Sequence, residues 1–525
     1  MTYPIYQENE FVSMTETFWE MEDGVKLYTQ IIVPKGKEKC PVAFMRTPYD
    51  AAHHGEPHNI EKYSHYSLID GGFAVVSQHV RGTGDSEGVM EPHKQERADG
   101  LCSLEHIRKL PCYNGEIFLY GGSYCGCLFL SILDAVGDDV KGAALHVCSS
   151  DRRDRAYHNG CYDDLGQFEW WLDWVKWVEA EGSDRSKIRQ RPYKDMAKRV
   201  TGRDVPQFTG TLVHDKEDDP FWKQFHFDYA PEKWRIPVLF TGGWYDFYLI
   251  GMVKMWSRMP EETKKKSAFV LGPWPHLTKL PKVQHYDHPD DADRPRDFAT
   301  DWFHSVLEGR EYKYAEKNKL TYYSLGDKGW RNSVLPKVDT GCRRLYFGEN
   351  VLTDTPNAES SVTYAYDPEK EVTCFKHNDI YPAHEIGTAE GVTSFLSKPF
   401  TEKESFFGHH RWSMEVSSDC EDTAFFMRIY MVENGVAYNL TQVITSLSYL
   451  YPDYKPGEKV KIDLRTPLMA FTIRKGGQIR VDIASADGSH APHANVKGHW
   501  AEVTRTKVAM NTLHLGDGFI ELEKE

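Results

Sequence analysis

Six short apolar runs constrain this chain most: "PVAFMR" (41–46), "FAVVSQ" (73–78), "IFLY" (117–120), "GAALHV" (142–147), "IPVLF" (236–240) and "SAFVL" (267–271). Each is continuous rather than alternating, as a strand buried on both faces must be. Helical patterns such as "ADGLCSLEHIRKL" and "SYCGCLFLSILDAV" stand between the early runs. Strand and helix in alternation predict a parallel sheet covered on both sides, an α/β fold.

The pattern breaks after residue 146. In "DDLGQFEWWLDWVKWVEAEG", Phe168, Trp171, Leu172, Val175 and Val178 recur at helical spacing, which predicts a helix inserted into the sheet's sequence. Strands then resume, followed by a helix in "RDFATDWFHSVLEG". From about residue 345, runs such as "EVTCF", "RWSMEVSS", "TAFFMRIYMV", "EKVKIDL", "MAFTIR" and "QIRVDIAS" lie between turn residues. They predict an all-β domain, a two-sheet sandwich of jelly-roll type. The expected division is an α/β core in two parts, 1–146 and 233–344, a helical cap over 147–232, and a jelly roll over 345–525.

Composition excludes several functions. The net charge of −15 and a longest basic run of three lysines, 264–266, oppose nucleic-acid binding. No apolar stretch approaches a membrane span, and no signal segment opens the chain. Ten cysteines without a CxxC pair point to reduced thiols and a cytoplasmic setting. The oligomeric state is left open.

In open α/β sheets the functional groups follow the carboxyl ends of the strands. Here those positions carry Tyr49, the loop "RGTGDSEG" (81–88), Ser123, Asp246 and His276. Ser…Asp…His is the chain order of α/β-hydrolase triads. The serine hydroxyl needs a base, His276, and the imidazolium needs a carboxylate, Asp246. The oxyanion needs donors: the amide of Tyr124, and the Tyr49 phenol offered from the neighbouring strand end. Trp170, Trp244 and Phe247 are candidate walls of the substrate pocket.

Each residue also has a plainer role: Ser123 as turn former, Asp246 as helix cap, His276 as surface loop, Tyr49 and Trp170 as packing. Their order on consecutive strand ends is what favours catalysis. Cys125 and Cys127 fall on the helix leaving the turn and read as packing residues. His53, His54 and His58 cluster in "AHHGEPHN" but read as solvated, so neither metal nor cofactor is expected. "RGTGDSEG" lacks the lysine of a phosphate loop.

The turn reads Gly-x-Ser-x-x-Gly, in "LYGGSYCGCLFL". With "RTPYD", "FAVVSQHVRGTGDSEG", "ERADGLCSLEHI", "VLFTGGWYDFY", "LGPWPH" and "DWFHSVLEG", it resembles the cocaine esterase and X-Pro dipeptidyl-peptidase-like acyl hydrolases. The resemblance implies a serine hydrolase acting on a small acyl ester or amide. It maps the nucleophile onto Ser123, the acid onto Asp246, the base onto His276 and the oxyanion tyrosine onto Tyr49. Phe247, Tyr248 and Leu249 stand where the α-amino acid ester hydrolases have carboxylates, which argues against amino-acid esters. An X-Pro dipeptidyl-peptidase, and a non-catalytic binding protein built on the jelly roll, are the alternatives.

Overall fold

The computed structural model describes residues 8–49, 59–163, 165–225, 230–276, 297–327, 329–370 and 389–525, with backbone alone at 59–64. His53, His54, His58 and the "EVTCF" run lie outside the described residues.

A ten-stranded sheet organises the first two thirds of the chain. Its strands are β1 (Val12–Glu20), β2 (Lys26–Pro34), β3 (Cys40–Thr47), β4 (Ala74–His79), β5 (Tyr113–Gly122), β6 (Val140–His146), β9 (Val238–Tyr245), β10 (Ala268–Pro275), β11 (Leu320–Ser324) and β12 (Gly329–Ser333). The two-residue strands β7 (Tyr157–His158) and β8 (Cys161–Tyr162) form a separate hairpin. The sheet order is β1-β2-β4-β3-β5-β6-β9-β10-β11-β12. From β4 to β11 every neighbouring pair is parallel. The carboxyl ends of β3, β5, β9 and β10 therefore lie along one edge.

Side chains sort by the two-residue period of a strand. Val42, Phe44, Ile117, Leu119, Val238 and Phe240 join one core with Leu104, Ile107 and Phe129 of the helices. Ala43, Met45, Phe118, Tyr120 and Leu239 join the opposite core, with Phe298, Trp302 and Phe303. Burial on both faces is what makes these strands read as unbroken apolar runs.

The segment after β6 builds its own core. Phe168, Trp171, Leu172, Val175 and Val178 are all buried, together with Phe208 and Leu212. The helix is shorter than its spacing predicts, spanning Gln167–Trp174. Beyond it Val175 and Val178 are buried in a turn, and the Trp177 indole donates to the Met90 carbonyl at 2.8 Å. Packing against the loop after β4 overrides continued helical spacing there.

The carboxy-terminal region is β-rich. The strand Ala509–Glu523 pairs with Arg411–Ser418, Cys342–Phe347 and Ser361–Tyr366. It docks on the first sheet through Tyr322, whose ring stacks on Phe407 at 4.4 Å, and Tyr245, whose hydroxyl donates to the Asn439 carbonyl at 2.8 Å.

Two histidines buried in this frame are held neutral. Burial lowers His65 to about 4. Burial, helped by the charges of His409 and Lys337, lowers His410 to about 3, and its Nδ1 accepts the Glu523 N–H at 3.3 Å. Unfolded, both titrate near 6.5. Their contribution is complete above that pH and is lost as pH falls, because the unfolded chain takes up protons the folded one refuses. Urea unfolding from pH 7 to 4 should show stability declining by roughly 1 kcal/mol per pH unit for each histidine. His410→Gln, which keeps an acceptor, should shallow that slope.

Candidate active site

Between β5 and the helix Tyr124–Leu130 the chain turns at one residue, Ser123. Its φ of 55° and ψ of −129° lie where side chains are rarely tolerated. So tight a turn presses strand against helix. A Cβ on Gly121 would lie 2.6 Å from the Cys125 carbonyl, and one on Gly126 would lie 2.7 Å from the Cys148 sulfur. The close approach falls at position 126, which explains why glycine stands there while position 125 can carry a cysteine.

Cys125 and Cys127 are both buried. The Cys127 thiol donates to the Ser149 carbonyl, and burial pushes it up to about 11. That thiol stays protonated and is a poor nucleophile.

Ser123 Oγ lies 2.8 Å from His276 Nε2, and His276 Nδ1 lies 2.7 Å from Asp246 Oδ2. The carboxylate fixes the tautomer: Nδ1 donates to Asp246, so Nε2 accepts from the serine. Asp246 also accepts the Tyr248 N–H at 2.7 Å, and its side chain is shut off from solvent. The imidazole is one-fifth exposed, which leaves it reachable from the substrate side. Phe247 stacks on this ring at 4.2 Å between centroids, and the Arg155 guanidinium lies 3.9 Å over the other ring of the pair, Phe247.

Trp170 and Trp174, one helical turn apart, project from the same face. Trp170 stacks on Tyr124 at 5.1 Å, and Trp174 meets Tyr49 edge-on at 4.8 Å. The two indoles thus roof the two residues expected to bind an oxyanion. Trp244 is placed differently. Its indole donates to the Tyr323 carbonyl at 2.7 Å and its ring packs on Tyr322, so it braces β9 against β11.

A polar network underlies the turn. The Tyr124 hydroxyl donates to Glu96 and accepts the His93 N–H at 3.0 Å. Arg46 donates to the Glu96 carbonyl at 2.8 Å and lies 3.5 Å from Asp99, which Arg81 also engages at 2.5 Å. Burial raises both the Glu96 carboxyl and the Tyr124 phenol. The Gly-rich loop after β4 belongs to this frame. Arg81 anchors it, and a Cβ on Gly84 would lie 1.8 Å from the His79 ring.

Sequence reasoning missed Trp174 as a partner of Tyr49, and the arginines Arg152 and Arg155. Both arginines act electrostatically on the phenol of the partly buried Tyr248, as does Tyr49. Arg152 and Arg155 share one short helix, Arg152–Ala156, directly after β6. Its position after a strand end was the available signal.

Two family models match the chain: X-Pro dipeptidyl-peptidase (S15 family) over residues 23–278, and the X-Pro dipeptidyl-peptidase C-terminal non-catalytic domain over 313–519. A cocaine esterase of Rhodococcus sp. (strain MB1 Bresler) is 24% identical, the alignment covering 94% of this chain and 95% of that protein. This chain belongs to the cocaine esterase and X-Pro dipeptidyl-peptidase family of serine hydrolases. Among solved structures, an α-amino acid ester hydrolase aligns over 100% of this chain and 98% of its own, with a TM-score of 0.83 at 18% identity. An aminopeptidase from a marine sediment archaeon, Thaumarchaeota archaeon, gives the same values. A CocE/NonD family hydrolase from Staphylococcus aureus gives 0.69 at 15% identity, over 98% and 93%. These likenesses show the shared fold: an α/β-hydrolase domain followed by a β-rich one.

Tyr124→Phe should separate support of the turn from chemistry. It leaves the Glu96 carboxyl and the His93 N–H without this partner, so urea unfolding should register a loss of about 1–3 kcal/mol. The backbone amide of residue 124 persists, and turnover at low temperature should change little.

Proposed function

We propose that this chain hydrolyses a small acyl ester or amide through an acyl-enzyme on Ser123. The observation that carries the reading is one imidazole bridging a strained serine hydroxyl and a buried carboxylate, at 2.8 and 2.7 Å. As Ser123 Oγ attacks the carbonyl carbon, His276 Nε2 takes its proton, and Asp246 stabilises the resulting imidazolium. The Tyr124 amide and the Tyr49 phenol hold the oxyanion. His276 then returns the proton to the leaving group. Water, deprotonated by the same imidazole, releases the acyl group. Trp170, Trp174 and Phe247 form the aromatic walls.

The relatives named above divide between ester and peptide substrates. Two features support an ester here. Phe247, Tyr248 and Leu249 follow Asp246 where an ammonium-binding site would need carboxylates, and the guanidinium of Arg155 lies on Phe247. A cation there disfavours a substrate α-ammonium group. The segment 147–232 serves in this reading as a cap over the core, 1–146 and 233–344, with a jelly roll over 345–525. Among the described residues no helix is long and apolar enough to cross a membrane. The nine described cysteines are free thiols, which fits a reducing cytoplasm.

A panel of p-nitrophenyl acyl esters beside X-Pro anilides tests the assignment. Ser123→Ala should abolish ester turnover with unchanged circular dichroism. Tyr49→Phe should lower kcat by roughly 10²–10³, as loss of one oxyanion donor does. Full turnover by Ser123→Ala would overturn the assignment, and anilides cleaved faster than esters would overturn the preference for an ester.

A further inference from the structure

Away from the Ser123 turn, three metal-ligating side chains converge between the helical segment and the β-rich region. His158 comes from β7, Asp163 from the end of the β7–β8 hairpin, and His490 from a loop of the β-rich region. His158 Nδ1 lies 3.0 Å from His490 Nε2. Asp163 Oδ2 lies 3.6 Å from the first nitrogen, and Asp163 Oδ1 lies 3.9 Å from the second. Bonds of 2.0–2.1 Å in a tetrahedral zinc site put ligand atoms about 3.3 Å apart. One ligand atom from each of the three residues lies within 4.8 Å of the others, so an ion at their centre needs only a modest closing of the cluster.

The surroundings of His490 match those of a metal ligand, while the Asp163 carboxylate also faces Arg155 at 3.6 Å. Metal-bound histidines characteristically donate their other ring N–H to a carboxylate, which aims the ligating nitrogen. His490 Nδ1 donates to Asp487 at 2.8 Å. Asp487 is itself held by the Ser489 hydroxyl at 2.9 Å and the Gln442 amide at 3.2 Å. Asp163, Asp487 and His490 are nearly inaccessible, whereas His158 is partly exposed. His158 and His490 line a cavity of about 640 Å³ that also touches Tyr157, Asn159, Phe247 and Gln442. That cavity offers a path for the ion and room for a water as fourth ligand.

We propose that His158, Asp163 and His490 form a binding site for a divalent cation of the zinc type. Two imidazoles and one carboxylate suit such an ion better than calcium or magnesium, which take oxygen ligands. Ligands 332 residues apart would tie the helical segment to the β-rich region. The site also touches the reaction centre at one remove. Arg155 donates to the Asp163 carbonyl at 3.0 Å and covers Phe247, which stacks on His276. The ion would position this wall and take no part in the chemistry.

The full chain, dialysed against a chelator, should be titrated with cobalt(II) and, separately, with zinc against a chromophoric competitor. One equivalent should bind, with visible ligand-field absorption of tetrahedral cobalt and a rise in Tm. His158→Ala and Asp163→Asn should each weaken binding at least tenfold, and Asp487→Asn about 10–100-fold. The metal-free Tm of His158→Ala, set beside that of the metal-free parent, reports folding independently of the metal. Should His158→Ala misfold, His158→Gln replaces it. Binding that is equal in the parent and in His158→Ala and Asp163→Asn, or absent from the parent, would overturn the site.

Discussion

The turn at Ser123 is the constraint on which the rest of the site depends. A side chain at φ 55° is costly, and it persists only where the surroundings leave no alternative. Here β5 is locked between β3 and β6, the Ser123 N–H is held by the His146 carbonyl at 2.9 Å, and Gly121 and Gly126 let helix and strand touch. Beneath the turn, the Tyr124–Glu96–Arg46–Asp99 network pins the first residue of the helix. A strained serine backed by a buried, hydrogen-bonded frame is a nucleophile whose placement does not have to be found anew in each turnover.

Parallel topology delivers the partners. β9 and β10 are neighbours, so Asp246 and His276 leave adjacent strand ends and meet with little intervening chain. Ser123 leaves β5 two strands away, and only the imidazole spans the gap. The bulge between Gly272 and Pro275 in β10 turns the chain just ahead of that histidine. The aromatic roof comes from outside the sheet, from a helix whose opposite face, Phe168, Trp171 and Leu172, is buried in its own core.

Legibility followed burial. The central strands were readable because packing on both faces demands unbroken apolar runs. β1 and β12 went unread because edge strands such as "VSMTETFWE" mix polar and apolar residues and stay partly exposed; β2, which alternates, and the five-residue β11 went unread as well, although both are paired on two sides. The Ser, Asp and His were readable because each follows a strand whose end is a defined place. The end of the helix at Trp174 was not, since Val175 and Val178 keep helical spacing while buried in a turn. Nor was the junction of His158 and Asp163 with His490 readable, because only tertiary packing brings those segments together. Trp244 does two things at once: its indole is bonded to Tyr323, and it lines the cavity that also touches Asp246 and Phe247.

The most direct test of the account is covalent. A fluorophosphonate probe needs a serine made nucleophilic by its base, and peptide mass spectrometry reads which residue it modifies. A single adduct on Ser123, lost in His276→Ala while Cys125 and Cys127 stay unmodified, is the predicted result. An adduct elsewhere, or undiminished labelling of Ser123 without His276, would contradict it.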